Sequence, residues 1–212
     1  ATLSEDEADT VIRTTVKAAA GRAFVMAGAG SNATRLAVDK ARRAEAAGAD
    51  GVLLVTPYYN KPSQDGLFDH FSAIADAVKL PIMLYSVPGR TGVEIAPATA
   101  ARLAKAYPHI VAIKEAGGRT ERITELRRAL GEDFIIHSGD DGLTLPFLSL
   151  GLGRDAYGDG GMFRAIEVTE DGSPLGPGQF RTNVNLKRWE NAEDIITPAM
   201  FADMAEMLAF TK

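Results

Sequence analysis

Five short apolar runs, each separated from the next by a helical pattern, constrain this chain more than anything else in it. They read "FVMAGAG" at 24–30, "GVLLVTP" at 51–57, "IMLYSVP" at 82–88, "IVAIKEA" at 110–116 and "FIIHSG" at 134–139. Each is continuous, not alternating, as a parallel strand covered on both faces requires. The periodicity between them predicts helices over about 32–47, 63–78, 97–106 and 120–130, preceded by one over about 4–20. That first helix opens on "SEDE", which sets a hydroxyl cap and carboxylates at its positive end. Strict alternation with short loops leaves two architectures, a doubly wound sheet or a (β/α)8 barrel.

The polar residues favour the barrel. "TPYYN", "YSVPGR", "KEAGG" and "SGDD" stand at the carboxyl ends of successive strands, and barrels spread their chemistry over many strand ends in this way. A doubly wound fold concentrates its ligand contacts at one switch point. "GAGSNAT" is a glycine-rich turn opening a helix, but Ala33 stands where a nucleotide fingerprint has its last glycine. The plainer reading is a tight strand-to-helix turn capped by Ser31 or Asn32.

Composition narrows the function. Hydrophobic residues make up 46% of the 212 and charged residues 24%, enough for a substantial core. A net charge of −5 argues against a nucleic-acid partner or an anionic membrane surface. The absence of cysteine excludes disulfides, thiolate catalysis and cysteine-bound zinc. No apolar run approaches the roughly 20 residues of a membrane span. The acidic start "ATLSEDEADT" is not a signal peptide, so a cytoplasmic protein is expected. His70 is expected on the solvent face of its helix, His109 in a loop and His137 in a strand; no pair has metal-ligand spacing, and no metal site is expected. Asp140 and Asp141 suit acid–base work or Mg²⁺, or, more plainly, capping of a helix over 142–150.

Lys114, set into the strand "IVAIKEA", raises the sharpest question. A lysine in a buried strand is unfavourable unless paired or neutral. Glu115 is a poor partner, because neighbouring strand residues face opposite ways. One reading is a strand-end lysine reaching water. The other is an amine activated to attack a carbonyl and form a Schiff base. Tyr85, ending the preceding strand, could relay protons during carbinolamine formation and dehydration. Arg90, in the following Pro-Gly turn, could grip a carboxylate in two places. Each has a plainer reading, a core aromatic and a surface cation. Together with Lys114, the three make a site for an α-keto acid held as an imine.

"GVLLVTPYYNKPSQDGLFDHF", "LPIMLYSVPGRTGVEI" and "IVAIKEA" resemble the dihydrodipicolinate synthase (4-hydroxy-tetrahydrodipicolinate synthase) family. This is a branch of the pyruvate-dependent class I aldolases, which also hold N-acetylneuraminate lyase. The resemblance runs over residues 1–151. It implies that Lys114 is the Schiff-base lysine, Tyr85 the proton-relay tyrosine and Arg90 the arginine that binds the carboxylate of aspartate semialdehyde. It implies that Tyr59 reaches across a dimer interface into a neighbouring site. The implied reaction condenses pyruvate with aspartate semialdehyde in lysine biosynthesis, without metal or organic cofactor, in a homo-oligomer that is a tetramer in the family. "PGRTG" and "YYNKP" favour the synthase over a sibling sugar-acid lyase. Leu36 stands where lysine-sensitive members carry a glutamate, so lysine inhibition is not expected.

The family's first two strands and its "GTTGES" loop, which carries a relay threonine, are expected ahead of "ATLSEDE" and are not found in this sequence. After Gly151 the rhythm stops. "MFRAIEV" and "QFRTNVNLKRW" predict an antiparallel hairpin, "TPAMFADMAEMLAF" a closing helix, and Trp189 an anchor. The expected fold is therefore an α/β chain of (β/α)8 TIM-barrel type, incomplete with about five β/α units over 1–151. Residues 152–212 are an extension of unrecognised type. Five barrel strands cannot close an eight-stranded barrel. The alternative to an enzyme is a truncated or chimeric family fragment without catalysis.

Overall fold

The computed structural model describes residues 2–143, 146, 147 and 150. The expected hairpin, the closing helix and Trp189 lie outside the described residues, as do positions 144, 145, 148 and 149 of the helix expected over 142–150. The elements run α1 (Glu5–Ala19), β1 (Met26–Gly28), α2 (Thr34–Ala46), β2 (Gly51–Val55), α3 (Gln64–Ala77), β3 (Ile82–Ser86), α4 (Pro88–Thr91), α5 (Pro97–Ala106), β4 (Ile110–Glu115), α6 (Glu121–Leu130) and β5 (Ile135–Ser138). A 3-10 turn, Asp141–Leu143, follows.

All strand pairs are parallel and the spatial order is β1-β2-β3-β4-β5, the order of the sequence. Among the described residues the order never reverses, so they contain no switch point of the doubly wound kind. Each crossover advances one strand in one direction, which is how a barrel winds. The helices α2, α3, α5 and α6 pack side by side against one face of the sheet. The expected barrel-type fold of five β/α units is thus what the chain adopts.

Local sequence explains the elements. Ser4 caps α1 with a full capping box: its hydroxyl accepts from the Glu7 N–H, and the Glu7 carboxylate accepts from the Ser4 N–H at 2.7 Å. Ser63 caps α3 by its hydroxyl alone, which accepts from the Gly66 N–H. Pro97 opens α5 at its first turn. The expected cap of α2 is corrected: Ala33 occupies the cap position without a side-chain bond, and Ser31 instead accepts from the Ala33 N–H within the turn. Gly30 packs so close to Val55 that any Cβ would meet its backbone nitrogen at 2.7 Å, which fixes that turn as glycine.

The core lies between the sheet and the helices. Leu54, Leu84, Ile113 and Ile136 form one fully buried row on the strands. Leu67, Phe71 and Ile74 of α3, Leu103 of α5, and Ile123 and Leu126 of α6 close over that face. His70 belongs to the α3 stripe and is only 5% exposed, so the expectation of a solvent-facing histidine is corrected. Its position repeats the 67, 71, 74 spacing, which places it on the apolar face. Its Nδ1 lies 2.9 Å from the Thr34 Oγ1. Among the described residues no helix is long and apolar enough to cross a membrane.

Candidate active site

The face of the sheet away from the helices carries Tyr85, Lys114 and His137. Val55, Tyr85, Lys114 and His137 are successive register partners across β2, β3, β4 and β5. All four are half-buried, whereas their neighbours Leu54, Leu84, Ile113 and Ile136 are fully buried. Alternation along each strand therefore sends Lys114 and Tyr85 to the same side. The Lys114 Nζ stands 4.8 Å from the centre of the Tyr85 ring, within cation–π range.

This pairing depends on an irregularity. Ile82 is opposite Ile110, but Met83 is opposite Ala112, so Val111 is an extra residue in β4. Without that bulge Tyr85 would lie beside Ile113. The bulge moves the register by one and brings the lysine to the tyrosine. Gly139 completes the amine's surroundings: a Cβ there would press on the Ala116 Cβ at 2.6 Å and the Lys114 Cε at 3.2 Å.

Arg90 is exposed in the single turn α4, directly after β3, and makes no ion pair among the described residues. The turn is fixed from below. Thr56, fully buried at the end of β2, donates to the Thr91 hydroxyl at 2.9 Å. Ser86 is buried as well and accepts from the Ile95 N–H at 3.3 Å, on the helix side and away from the amine.

Tyr59 stands apart from the other three, at 88% exposure in the loop after β2. Its φ is +72°, and the Asn60 N–H bonds the Tyr58 carbonyl at 2.9 Å across it. This is a γ-turn of the strained, positive-φ kind, held by an aromatic residue. Tyr58 beside it is 41% exposed. The structure thus brings Tyr85 and Lys114 together, sets Arg90 a turn beyond them and displays Tyr59 outward.

Sequence reasoning did not anticipate what lies behind Lys114. Glu115 is fully buried on the helix side and pairs at 3.2 Å with the Arg122 guanidinium, which is 1% exposed. Arg122 also donates to the Ile95 carbonyl at 2.8 Å and lies 3.4 Å from the Glu94 carboxylate. Lost solvation pushes the Glu115 carboxyl above its ordinary range, while Arg122 and the Gly117 N–H act against it. Seven residues separate the partners, across a strand end and a loop, so no local spacing announces them. Asp140 behaves as expected of a cap, accepting from the Gly142 N–H at 3.0 Å. Among the described residues no cluster of three or more His, Asp or Glu is placed to hold a metal ion.

A one-directional parallel arc with a lysine, a tyrosine and an arginine near its strand ends defines a barrel-type α/β protein. The family model for the dihydrodipicolinate synthetase family matches residues 1–155, and the chain belongs to that family. It is 55% identical over 150 residues to 4-hydroxy-tetrahydrodipicolinate synthase of Desulforamulus reducens, covering 71% of this chain and 51% of that protein. Among solved structures, the 4-hydroxy-tetrahydrodipicolinate synthase of Methylacidiphilum fumariolicum SolV matches with a TM-score of 0.70 at 53% identity, over 71% of this chain and 50% of that one. The chloride-inhibited dihydrodipicolinate synthase of Acinetobacter baumannii complexed with pyruvate matches with a TM-score of 0.68 at 47% identity, over 71% and 51%. The chain spans about half the length of the curated relatives it matches.

Proposed function

We propose that this chain carries the amine-bearing part of a Schiff-base lyase that condenses pyruvate with aspartate semialdehyde in lysine biosynthesis. The observation that carries the reading is the contact of the Lys114 Nζ with the Tyr85 ring on paired strand ends. Lys114 attacks the keto carbon of pyruvate, and water leaves to give the imine. Loss of a proton from the methyl carbon gives the enamine, whose carbon adds to the aldehyde. Tyr85 carries protons in the first stage. Arg90, exposed and beyond the amine, binds the carboxylate of aspartate semialdehyde through its planar fork. The pyruvate held by the Acinetobacter baumannii relative supports the first substrate.

The same reading makes the protein a cytoplasmic homo-oligomer that uses neither metal nor organic cofactor. Tyr59 is presented to a second copy, consistent with its exposure and strained turn. Residues 1–151 hold the chemistry, and 152–212 are a separate extension.

Borohydride reduction in the presence of pyruvate tests this. The expected result is a reduced adduct on Lys114, located by peptide mass spectrometry and absent from Lys114→Ala. A folded chain that yields no adduct favours the non-catalytic family fragment. An adduct that turns over with a sugar aldehyde but not with aspartate semialdehyde favours the sibling lyase.

A further inference from the structure

The row Val55, Tyr85, Lys114, His137 holds three ionisable side chains in succession. Two residues toward the amino ends of the same strands, the row is Leu53, Met83, Ala112 and Ile135, all apolar. Core packing alone would put another aliphatic residue at position 137. His137 instead flanks Lys114 on the side opposite Tyr85. Adjacent strands lie about 4.8 Å apart, and register partners on one face are direct neighbours.

The His137 ring also feels the Lys114 charge. Burial is the main cause that lowers the His137 ring from the ordinary histidine range; the Lys114 charge adds to it, and a hydrogen bond with the Ser138 backbone opposes it. Lys114 is the charged group facing it from β4, and Tyr85 of β3 lies one strand beyond. On its own segment Asp140 follows, its carboxylate accepting from the Gly142 N–H. An imidazole kept neutral beside an ammonium is a proton acceptor already in place.

We propose that His137 is a proton-transfer partner of Lys114, a role that rests on the Schiff-base reading above. The neutral ring takes a proton from the Nζ ammonium and frees the lone pair that attacks the keto carbon. A C–N bond forms, the carbonyl π electrons pass to oxygen, and an amine proton moves to that oxygen to give the carbinolamine. The imidazolium then returns its proton to the hydroxyl. The C–O bond breaks, water leaves, and the nitrogen lone pair closes the iminium. One ammonium and one ketone become one iminium and one water, and the imidazole ends neutral.

The test compares the full chain with His137→Gln and His137→Leu, each checked for folding by circular dichroism. The rate of pyruvate adduct formation is followed across pH by borohydride trapping. The expected result is a rate about 10²-fold lower in the variants, loss of the imidazole limb of the pH profile, and an unchanged final extent of adduct. Should His137→Leu not fold, the nearly isosteric His137→Gln carries the comparison. A wild-type adduct with variants of unchanged rate and profile overturns the role of His137 alone. No wild-type adduct removes the lyase reading and this role with it. Independently of pyruvate, the His137 ring titration followed by NMR is expected to move upward in Lys114→Met, and an unmoved midpoint overturns the proposal.

Discussion

Tyr85 and Lys114 are register partners on adjacent parallel strands, and the Lys114 Nζ lies 4.8 Å from the centre of the Tyr85 ring. The ring stabilises the cation whether or not the hydroxyl is present. Tyr85→Phe therefore separates contact from proton transfer. Adduct formation with pyruvate is expected to slow by about 10²–10⁴-fold, the range for losing one positioned acid–base group. Thermal stability should be nearly unchanged, because the half-buried ring remains. A Phe variant as fast as the wild type would remove Tyr85 from the chemistry.

Arg90 offers a second separation. It sits in an exposed turn held by the buried Thr56–Thr91 hydrogen bond and by the bonds of the Arg90 and Thr91 N–H groups to the Val87 carbonyl. Arg90→Ala is expected to leave pyruvate trapping intact and to raise the KM for aspartate semialdehyde. Losing a charge-assisted pair of roughly 1.5–3 kcal/mol corresponds to about 10–150-fold. Arg90→Lys should recover little, since an ammonium cannot form the planar fork. Steady-state kinetics with each substrate varied in turn would show it, and an equal loss for both substrates would count against the assignment.

The buried Glu115–Arg122 pair fixes the strand end that carries the amine. Removing one partner strands a charge in the core, so Arg122→Met is expected to destabilise the chain by about 3–5 kcal/mol. Replacing both, in Glu115→Leu with Arg122→Met, should be much milder because no lone charge is left. Urea unfolding of the single and double variants measures the difference. A double variant as unstable as the single would mean that the cost lies in packing.

His70 predicts a pH dependence of stability. Burial lowers its pKa in the folded state, while its Nδ1 pairs with the Thr34 hydroxyl. Between the lowered folded value and the ordinary value near 6.5, the unfolded chain binds more protons than the folded one. Stability is thus fully present above about pH 6.5 and falls as pH drops through the folded value, by at most about 1.4 kcal/mol per unit. His70→Phe should remove this component from urea midpoints measured between pH 7 and pH 5. A variant with the same slope as the wild type would assign the proton elsewhere.

What the sequence disclosed, and what it withheld, follows from the range of each interaction. The five strands and their helices were legible because continuous apolar runs and helical spacing are local signals. Lys114 and Tyr85 stood out because both are polar residues inside such runs. The Val111 bulge that pairs them is set by a neighbouring strand, and no property of "IVAIKEA" marks it. The Glu115–Arg122 pair depends in the same way on how α6 returns to the sheet. For His70 residue type and spacing point opposite ways, an imidazole toward water and the 67, 71, 74 stripe toward the core, and the spacing decides. The single turn α4 lay hidden in "PGRT", which reads equally well as a loop.

Tyr59 gives the last prediction, and its sign is opposite to that of an ordinary loop substitution. The residue holds φ at +72° and is 88% exposed, so the folded chain carries strain without burial in return. Left-handed backbone costs a non-glycine residue roughly 1–2 kcal/mol. Glycine relieves that strain but gives the unfolded chain more freedom, an opposing effect of about 0.4–1 kcal/mol. Tyr59→Gly is therefore expected to be neutral or stabilising by up to about 1.6 kcal/mol in urea unfolding. If the ring serves a second copy, the same variant should sediment as a smaller species and turn over more slowly, with pyruvate trapping on Lys114 retained. Strain held at an exposed aromatic is then explained by what the ring contacts in the assembly. A variant that gains stability and keeps both assembly and turnover would leave the γ-turn without a function.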